Sequence, residues 1–212
     1  MSRSSISSIP LEQLNSIQYG TMSYEWKGVP CLKNPFDLAL YQMLLWRRKP
    51  RTLIEIGSNK GGSALWFADM AEILRIDMRI ISIDIVLATG VEHPRIEFRK
   101  GDGRKLGETL SPQELASLPR PLLVIEDGSH DYDQSLASLR FFDPIMKSGE
   151  YLVIEDGIIE SMQAAERYNG GPSKALDEFL AEAGERYEVD ASYCDYFGYN
   201  ATWNTNGYLR RR

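Results

Sequence analysis

The chain has 212 residues, which suits one sizeable domain with added segments better than two complete domains. Hydrophobic residues make up 43% and charged residues 25%, values that exclude a disordered, collagenous or coiled-coil chain. The formal net charge of −6 argues against a nucleic-acid partner or an anionic membrane surface. No apolar run is long enough to span a bilayer, and the N-terminus lacks the apolar core of a signal peptide, so we expect a cytoplasmic protein.

The first part of the chain is polar and precedes an amphipathic helix. Residues 1–34 are predicted to form a Ser-rich lead-in followed by a loop. Apolar residues at helical spacing predict a helix from Pro35 to Trp46, with proline at its start and Pro50 beyond its end. We therefore expect an N-terminal extension and helix over residues 1–49 and a second domain over residues 50–212.

From residue 52 onward, short apolar runs alternate with helical segments. The predicted strands cover residues 52–56, 79–84, 96–98, 122–125 and 151–154. The predicted helices cover residues 62–74, 112–118, 131–146 and 173–184. This alternation predicts an α/β fold with a doubly wound, Rossmann-like sheet that is mostly parallel. Weaker strand signals at 187–192 and 207–210 predict an antiparallel pair at one C-terminal edge.

The turn after the first strand has the composition of a cofactor-binding turn. It runs Glu55-Ile56-Gly57-Ser58-Asn59-Lys60-Gly61-Gly62-Ser63, with Asn59 where a dinucleotide fingerprint has its second glycine. The second strand ends in Asp84, whose carboxylate can accept hydrogen bonds from two ribose hydroxyls. The pattern favours a nucleoside ligand over a pyrophosphate. The glycines are equally explained by a tight, closely packed turn.

Two later strands also end in acidic residues. Asp127 follows the fourth strand, and Glu155 and Asp156 follow the fifth, so the three carboxylates cluster if these strands are neighbours. Oxygen ligands alone favour Mg²⁺, with Mn²⁺ or Ca²⁺ as alternatives. The acidic pairs could instead cap the helices that follow them. His130 lies three residues beyond Asp127, where it is either a general base or a structural histidine.

The glycine turn of residues 55–63 and the acidic strand end at Asp84 together resemble the S-adenosylmethionine site of class I methyltransferases. Over nearly all of the chain after residue 20, the sequence further resembles the cephalosporin hydroxylase / rhamnosyl O-methyltransferase family, which is similar to metal-dependent macrolide sugar O-methyltransferases. The motifs that carry this resemblance, besides the turn, are Trp26-Lys27-Gly28, Pro35-x-Asp37, Asp127-Gly128-Ser129-His130, Tyr151-Leu152-Val153-Ile154-Glu155-Asp156, Gly171-Pro172 and Asn206-Gly207-Tyr208-Leu209.

The resemblance implies a role for each candidate residue. The cofactor would contact the turn, its ribose would contact Asp84, and its adenine would lie near Asp102 and Gly103. The turn residues implied in cofactor binding are Glu55, Gly57, Ser58, Asn59, Gly61 and Ser63. Asp127, Glu155 and Asp156 would be metal ligands and His130 the base, with Asp127 a catalytic residue as well. Because Glu126 directly precedes Asp127, the ligand within this pair stays open.

The implied activity is methyl transfer from S-adenosylmethionine to a hydroxyl of a small polyhydroxylated metabolite. Residues 157–171 would form a mobile lid. The aromatic residues of the tail would line the acceptor pocket, or they would instead pack in the core or form an oligomer interface. These residues are Tyr193, Tyr196, Phe197, Tyr199 and Trp203. We also expect a homo-oligomer. Two alternatives stay open: an NAD-dependent oxidoreductase or epimerase, and a noncatalytic component of a two-protein hydroxylation and methoxylation system.

Overall fold

The computed structural model describes residues 3–212, and it corrects the prediction for the N-terminal segment. Instead of a lead-in and loop, helix α1 spans Leu11–Thr21, and strands β1 (Glu25–Trp26) and β2 (Val29–Pro30) form a hairpin. Residues 1 and 2 of the predicted lead-in lie outside the described residues. Helix α1 buries Leu14 and Thr21, and Leu14 and Ile17 pack in a small apolar cluster with Ile158 and Trp203.

The predicted amphipathic helix is confirmed as α2, which spans Pro35–Arg48. The Asn34 side chain begins it by accepting hydrogen bonds from the backbone N–H groups of Phe36 (2.9 Å) and Asp37 (3.2 Å). The apolar face of α2 packs in the same hydrophobic cluster as residues of the first sheet strand and the helix after it. The proposed boundary between residues 49 and 50 therefore stays a prediction.

The rest of the chain alternates strands and helices. In chain order these are β3 (Thr52–Ile56), α3 (Gly62–Ile73), β4 (Arg79–Asp84), β5 (Ile96–Lys100), α4 (Pro112–Ser117), β6 (Leu122–Glu126), α5 (Tyr132–Phe142), β7 (Tyr151–Ile154), α6 (Gly171–Ala183), β8 (Tyr187–Val189), α7 (Ala191–Cys194) and β9 (Tyr208–Arg211). The strand predicted over 187–192 is shorter than expected. It ends at Val189 because Asp190 accepts a hydrogen bond from the Ser192 N–H (3.0 Å) and starts α7.

The sheet confirms the predicted fold class. Among residues 3–212 it has seven strands in the order β5-β4-β3-β6-β7-β9-β8. The first five pair in parallel, whereas β9 runs antiparallel to both β7 and β8 and so forms the expected C-terminal edge. Every residue of β3, β6 and β7 is buried, because helices cover both faces of the sheet.

Alternate residues of each strand face two separate cores. On one face, Ile54 and Val124 pack with α5 and α6. On the other face, Leu53 and Leu123 pack with α2 and α3. No helix among the described residues is long and apolar enough to cross a membrane.

The strand order creates a crevice at the carboxyl ends of β3, β4 and β6. The chain moves outward from β3 to β4 and β5, then returns to pair β6 on the other side of β3. Loops leaving the strands diverge at such a reversal, which is where open α/β sheets bind ligands. The acidic strand ends predicted from the sequence all meet at this edge.

Candidate active site

A cavity of about 470 Å³ lies in this crevice. Asp127, His130 and Asp156 line one part of it. The residues predicted for the cofactor that line the cavity are Gly57, Ser58, Asn59, Ser63, Asp84 and Gly103. The structure therefore brings these nine candidate residues to a single site.

The glycine turn is shaped by close backbone packing. Gly57 has a φ of +103°, and a Cβ there would lie 1.9 Å from the backbone oxygen of Asp127. A Cβ on Gly62 would lie 2.1 Å from the Pro30 oxygen. These positions admit only glycine, because a side chain would push apart β3, β6 and the N-terminal hairpin. The packing explanation given for the glycines is thus correct, and it is compatible with their lining a cofactor cavity.

Asp84 faces this turn. Its Oδ2 accepts a hydrogen bond from the backbone N–H of Asn59 (2.8 Å), and its Oδ1 accepts one from Val86 (3.1 Å). Asn59 adopts a left-handed φ of 45°, which carries its N–H toward the carboxylate. The carboxylate is therefore fixed at the cavity wall.

Three other residues predicted for the cofactor lie behind the wall. Glu55 is fully buried within β3, and one of its oxygens accepts a hydrogen bond from Ser82 Oγ (2.5 Å). Gly61 precedes α3 and packs against Phe98. Asp102 caps the short 3₁₀ helix at Gly103–Glu108 by accepting a hydrogen bond from the Arg104 N–H (2.9 Å). None of the three belongs to the cavity lining among residues 3–212.

The structure distinguishes Glu126 from Asp127. Glu126 is buried, and its carboxylate accepts hydrogen bonds from Gln134 Nε2 (3.1 Å), Ser135 Oγ (3.0 Å) and the Gly128 N–H (3.2 Å). Burial raises its pKa, and these donors oppose the effect. Asp127, the next residue, faces the cavity instead. Gln134 also lines the cavity, and no sequence pattern pointed to it.

Asp127, His130 and Asp156 form a compact cluster whose ligand atoms all lie within 4.8 Å of one another. His130 Nδ1 is 3.0 Å from Asp156 Oδ2 and 3.8 Å from Asp127 Oδ1. Both His130 (φ 58°) and Asp156 (φ 59°) adopt the left-handed conformation, which ordinary residues seldom hold. Such strained positions concentrate at functional sites.

The charges of the cluster change the protonation of its members. Burial raises the pKa of Asp127 to about 6, an effect that the Lys33 ammonium opposes and the Asp156 carboxylate reinforces. Burial of His130 disfavours its protonation, but the negative charges of Asp156 and Asp127 outweigh this and raise its pKa. The two carboxylates therefore favour the protonated form of His130.

Lys33 reaches this site from the N-terminal segment, and no sequence motif pointed to it. Its side chain is 3% exposed and donates hydrogen bonds to Asp127 and to Glu155 Oε1 (2.7 Å). The Tyr41 hydroxyl donates to the same oxygen of Glu155 (2.6 Å). Glu155 is thus held by protein donors and is not part of the compact cluster. Burial and the negative charge of Asp127 raise the pKa of Glu155.

The far end of the cavity is lined by α1 and by the segment after β7. Trp203 lies there, and its indole Nε1 donates a hydrogen bond to Gln18 Oε1 (2.6 Å). The other residues of this end are Thr21, Met22, Leu32, Ile158, Ile159, Met162 and Tyr168. Several of them belong to the predicted lid.

The aromatic tail only partly follows the pocket prediction, because Trp203 alone among its five residues lines the cavity within the described chain. Tyr193 stacks on Tyr208 in the core, with ring centres 5.4 Å apart. Tyr196, Phe197 and Tyr199 are exposed. Of the alternatives left open for these residues, the structure supports core packing for Tyr193, and none of the four lines the cavity.

This sheet order, with a glycine turn and an acidic strand end around a cavity at the carboxyl edge, defines a class I S-adenosylmethionine-dependent methyltransferase. Residues 18–212 match the family model described as Rhamnosyl O-methyltransferase/CmcI. The chain belongs to this family, and it is an O-methyltransferase by descent. The predicted resemblance is thereby confirmed, and membership favours methyl transfer over NAD-dependent chemistry.

Individual relatives agree with this assignment. The rhamnosyl O-methyltransferase of Mycobacterium leprae (strain TN) is 30% identical over 208 residues, covering 95% of this chain and 90% of the relative. A structure of CmcI with Mg and SAM is similar with a TM-score of 0.73 and 28% identity, over 90% of this chain and 77% of CmcI. The MycE methyltransferase of mycinamycin biosynthesis, with Mg and SAH, has a TM-score of 0.52 at 21% identity. The match covers 69% of this chain and 39% of MycE, and it shows the fold alone.

Proposed function

We propose that this chain transfers the methyl group of S-adenosylmethionine to a hydroxyl of a small polyhydroxylated metabolite, a sugar or a natural product, in a reaction that depends on Mg²⁺. The observation that carries the proposal is a single cavity that joins the glycine turn and Asp84 to the cluster of Asp127, His130 and Asp156. CmcI with Mg and SAM, and the mycobacterial relatives named rhamnosyl O-methyltransferases, support it.

The cavity has the size and the polar groups that the cofactor needs. Its volume lies within the range of small-molecule sites. Asp84, fixed by two backbone N–H groups, keeps acceptor capacity for ribose hydroxyls, and Gly103 at the adenine end leaves room for a flat ring. The residues that would face the amino-acid portion are Gly57, Ser58, Asn59 and Ser63. Glu55, Gly61 and Asp102 would support these walls from behind.

The donor set also suits a hard divalent cation. Asp127 and Asp156 each present carboxylate oxygens to the cavity, beside a single histidine. Such oxygen-rich sites prefer Mg²⁺, while Mn²⁺ and Ca²⁺ are chemically similar alternatives. Asp127 and Asp156 would hold the ion, and Glu155 would do so by its oxygen that does not contact Lys33.

The chain's own residues would then position the acceptor and remove its proton. When bound, the ion would acidify the acceptor hydroxyl and the sulfonium would supply the methyl group. His130 Nδ1 lies 3.0 Å from Asp156 Oδ2, and its Nε2 would take the hydroxyl proton. Trp203 and Tyr168 would contact the acceptor, while Ile158 and Met162 would exclude water from it.

Calorimetric titration tests the cofactor. We expect the purified protein to bind S-adenosylmethionine and not NAD⁺, and to bind Mg²⁺ until a chelator is added. Release of S-adenosylhomocysteine in the presence of a rhamnoside, such as methyl α-L-rhamnopyranoside, or of related sugars then tests turnover. Binding of NAD⁺ alone would overturn the methyltransferase proposal. Binding without turnover on any hydroxylated acceptor would favour a noncatalytic partner subunit.

We also propose that the protein is a homo-oligomer. Tyr196, Phe197 and Tyr199 are 53%, 45% and 40% exposed on one stretch of the surface. Exposed aromatic side chains are enriched in protein interfaces. Light scattering after gel filtration measures the mass in solution, and a monomer at micromolar concentration would contradict this proposal.

A further inference from the structure

Lys33 is a buried ammonium group for which methyl transfer itself gives no role. It lies between β2 and α2, in the segment that precedes the sheet, yet its side chain lines the cavity. Its Nζ contacts the Asp127 carboxylate and lies 2.7 Å from Glu155 Oε1. A lysine that is 3% exposed is rare unless its charge is paired, and here two carboxylates share one ammonium.

The ammonium is held in place by its surroundings. The Lys33 backbone N–H donates to the Cys31 oxygen (2.7 Å), which fixes the start of the side chain. On the other side of Glu155, the Tyr41 hydroxyl donates to Oε1 and accepts a hydrogen bond from Asn204 Nδ2 (3.2 Å). Lys33 therefore cannot swing away without leaving Asp127 and Glu155 with unpaired charge.

The charges of this group balance a divalent ion. When Asp127, Glu155 and Asp156 are ionised, Lys33 is protonated and His130 is neutral, the site has two net negative charges. A divalent cation neutralises that remainder. Because the ammonium and the cation repel each other at close range, the ammonium also weakens the attraction of the carboxylates for the ion.

We propose that Lys33 lowers the affinity of the carboxylate cluster for its divalent ion. By pairing with Asp127 and Glu155 it offsets one of the three negative charges that the ion would otherwise meet. This inference rests on the metal dependence in the proposed function.

Titration calorimetry with MgCl₂ alone, at mildly alkaline pH, tests the inference. We expect Lys33→Met, which keeps the length of the side chain and removes its charge, to bind Mg²⁺ at least about tenfold more tightly than the wild type. Lys33→Arg keeps the charge and should stay within about threefold of the wild type. Lys27→Met is the matched control, since Lys27 is an exposed lysine of the same segment that pairs with Asp69 away from the cavity.

Lys33→Met leaves two buried carboxylates without their cation, which destabilises the folded protein. A second pair of variants therefore carries the same test with fewer buried charges. Glu155→Gln removes one of these charges, and the double variant Lys33→Met/Glu155→Gln also removes the ammonium. We expect the double variant to bind Mg²⁺ at least about tenfold more tightly than Glu155→Gln, because the two proteins differ only in the Lys33 ammonium. Circular dichroism melts confirm that each protein is folded.

The outcomes separate this inference from the proposed function. In one outcome the wild type binds Mg²⁺, and loss of Lys33 leaves the affinity unchanged or weakens it in both the wild-type and the Glu155→Gln proteins. The inference about Lys33 is then overturned, and metal dependence stands. If only the Lys33 variants bind Mg²⁺, the inference holds and the Mg²⁺ dependence of the wild type fails. If no variant binds Mg²⁺, both fail.

Discussion

Substitution of Gly57 tests whether close packing of the glycine turn holds Asp127 in position. In Gly57→Ala the new Cβ would lie 1.9 Å from the Asp127 oxygen, whereas ordinary contacts begin at 3.4 Å, so the strands must separate by about 1.5 Å. The Asp127 N–H donates to the Ile56 oxygen (2.8 Å), and this separation would stretch that bond. Overpacking of this kind destabilises a protein by about 1–3 kcal/mol. The left-handed φ adds backbone strain of about the same size.

Gly90→Ala isolates the clash from the backbone strain. Gly90 has a φ of +88°, and nothing lies within 4 Å of the Cβ position, so alanine there meets strain without contact. We expect Gly57→Ala to be about 2 kcal/mol less stable than Gly90→Ala in urea unfolding and to melt about 4–8 °C lower. Displacement of Asp127 should also weaken Mg²⁺ binding about 10- to 100-fold in Gly57→Ala alone. Equal melting temperatures and equal Mg²⁺ affinities in the two variants would refute this reasoning.

Three further predictions concern single side chains. Asp127→Asn should abolish Mg²⁺ binding in calorimetry and leave S-adenosylmethionine binding nearly intact. The control is Asp133→Asn, at an exposed aspartate, and retained Mg²⁺ binding in Asp127→Asn would show that Asp127 is not a ligand. His130→Ala should keep both ligands but lose about 10²- to 10⁴-fold in S-adenosylhomocysteine release on an accepted sugar, and wild-type turnover would exclude the base role. Burial raises the pKa of Asp37 to about 6 from its ordinary 3.8. The folded state therefore binds the extra proton between these values, and the stability of the wild type relative to Asp37→Asn should fall by about 2 kcal/mol from pH 4 to pH 7 in urea unfolding. A constant difference would contradict this pKa.

The strands and the edge that carries the site could be predicted from the sequence. Parallel strands covered on both faces require continuous apolar runs, and β3, β6 and β7 show them plainly. Since the carboxyl ends of parallel strands meet at one edge, the acidic residues after these runs had to come close together. The cavity that joins Asp84 to Asp127 follows from that topology.

The choice between neighbouring carboxylates needed the structure. Glu126 and Asp127 are adjacent and chemically similar, and either fits a metal site on composition alone. Glu126 instead meets Gln134 and Ser135 of α5, which satisfy its charge on the side away from the cluster. The partners that decide the outcome lie on the next helix, and no local pattern specifies how that helix docks.

The sheet, its glycine turn and the acidic strand ends could be predicted from the sequence, because buried parallel strands require continuous apolar runs and the covering helices an apolar residue every three or four positions. Other features depend on how the elements pack. Helix α1 packs through Leu14 against Ile158 and Trp203, which lie far along the chain. Lys33 meets Asp127 across 94 residues of chain, and Tyr41 meets Glu155 across 114. Contacts between residues so distant in sequence depend on how the layers pack, and that packing fixes the charge of the site.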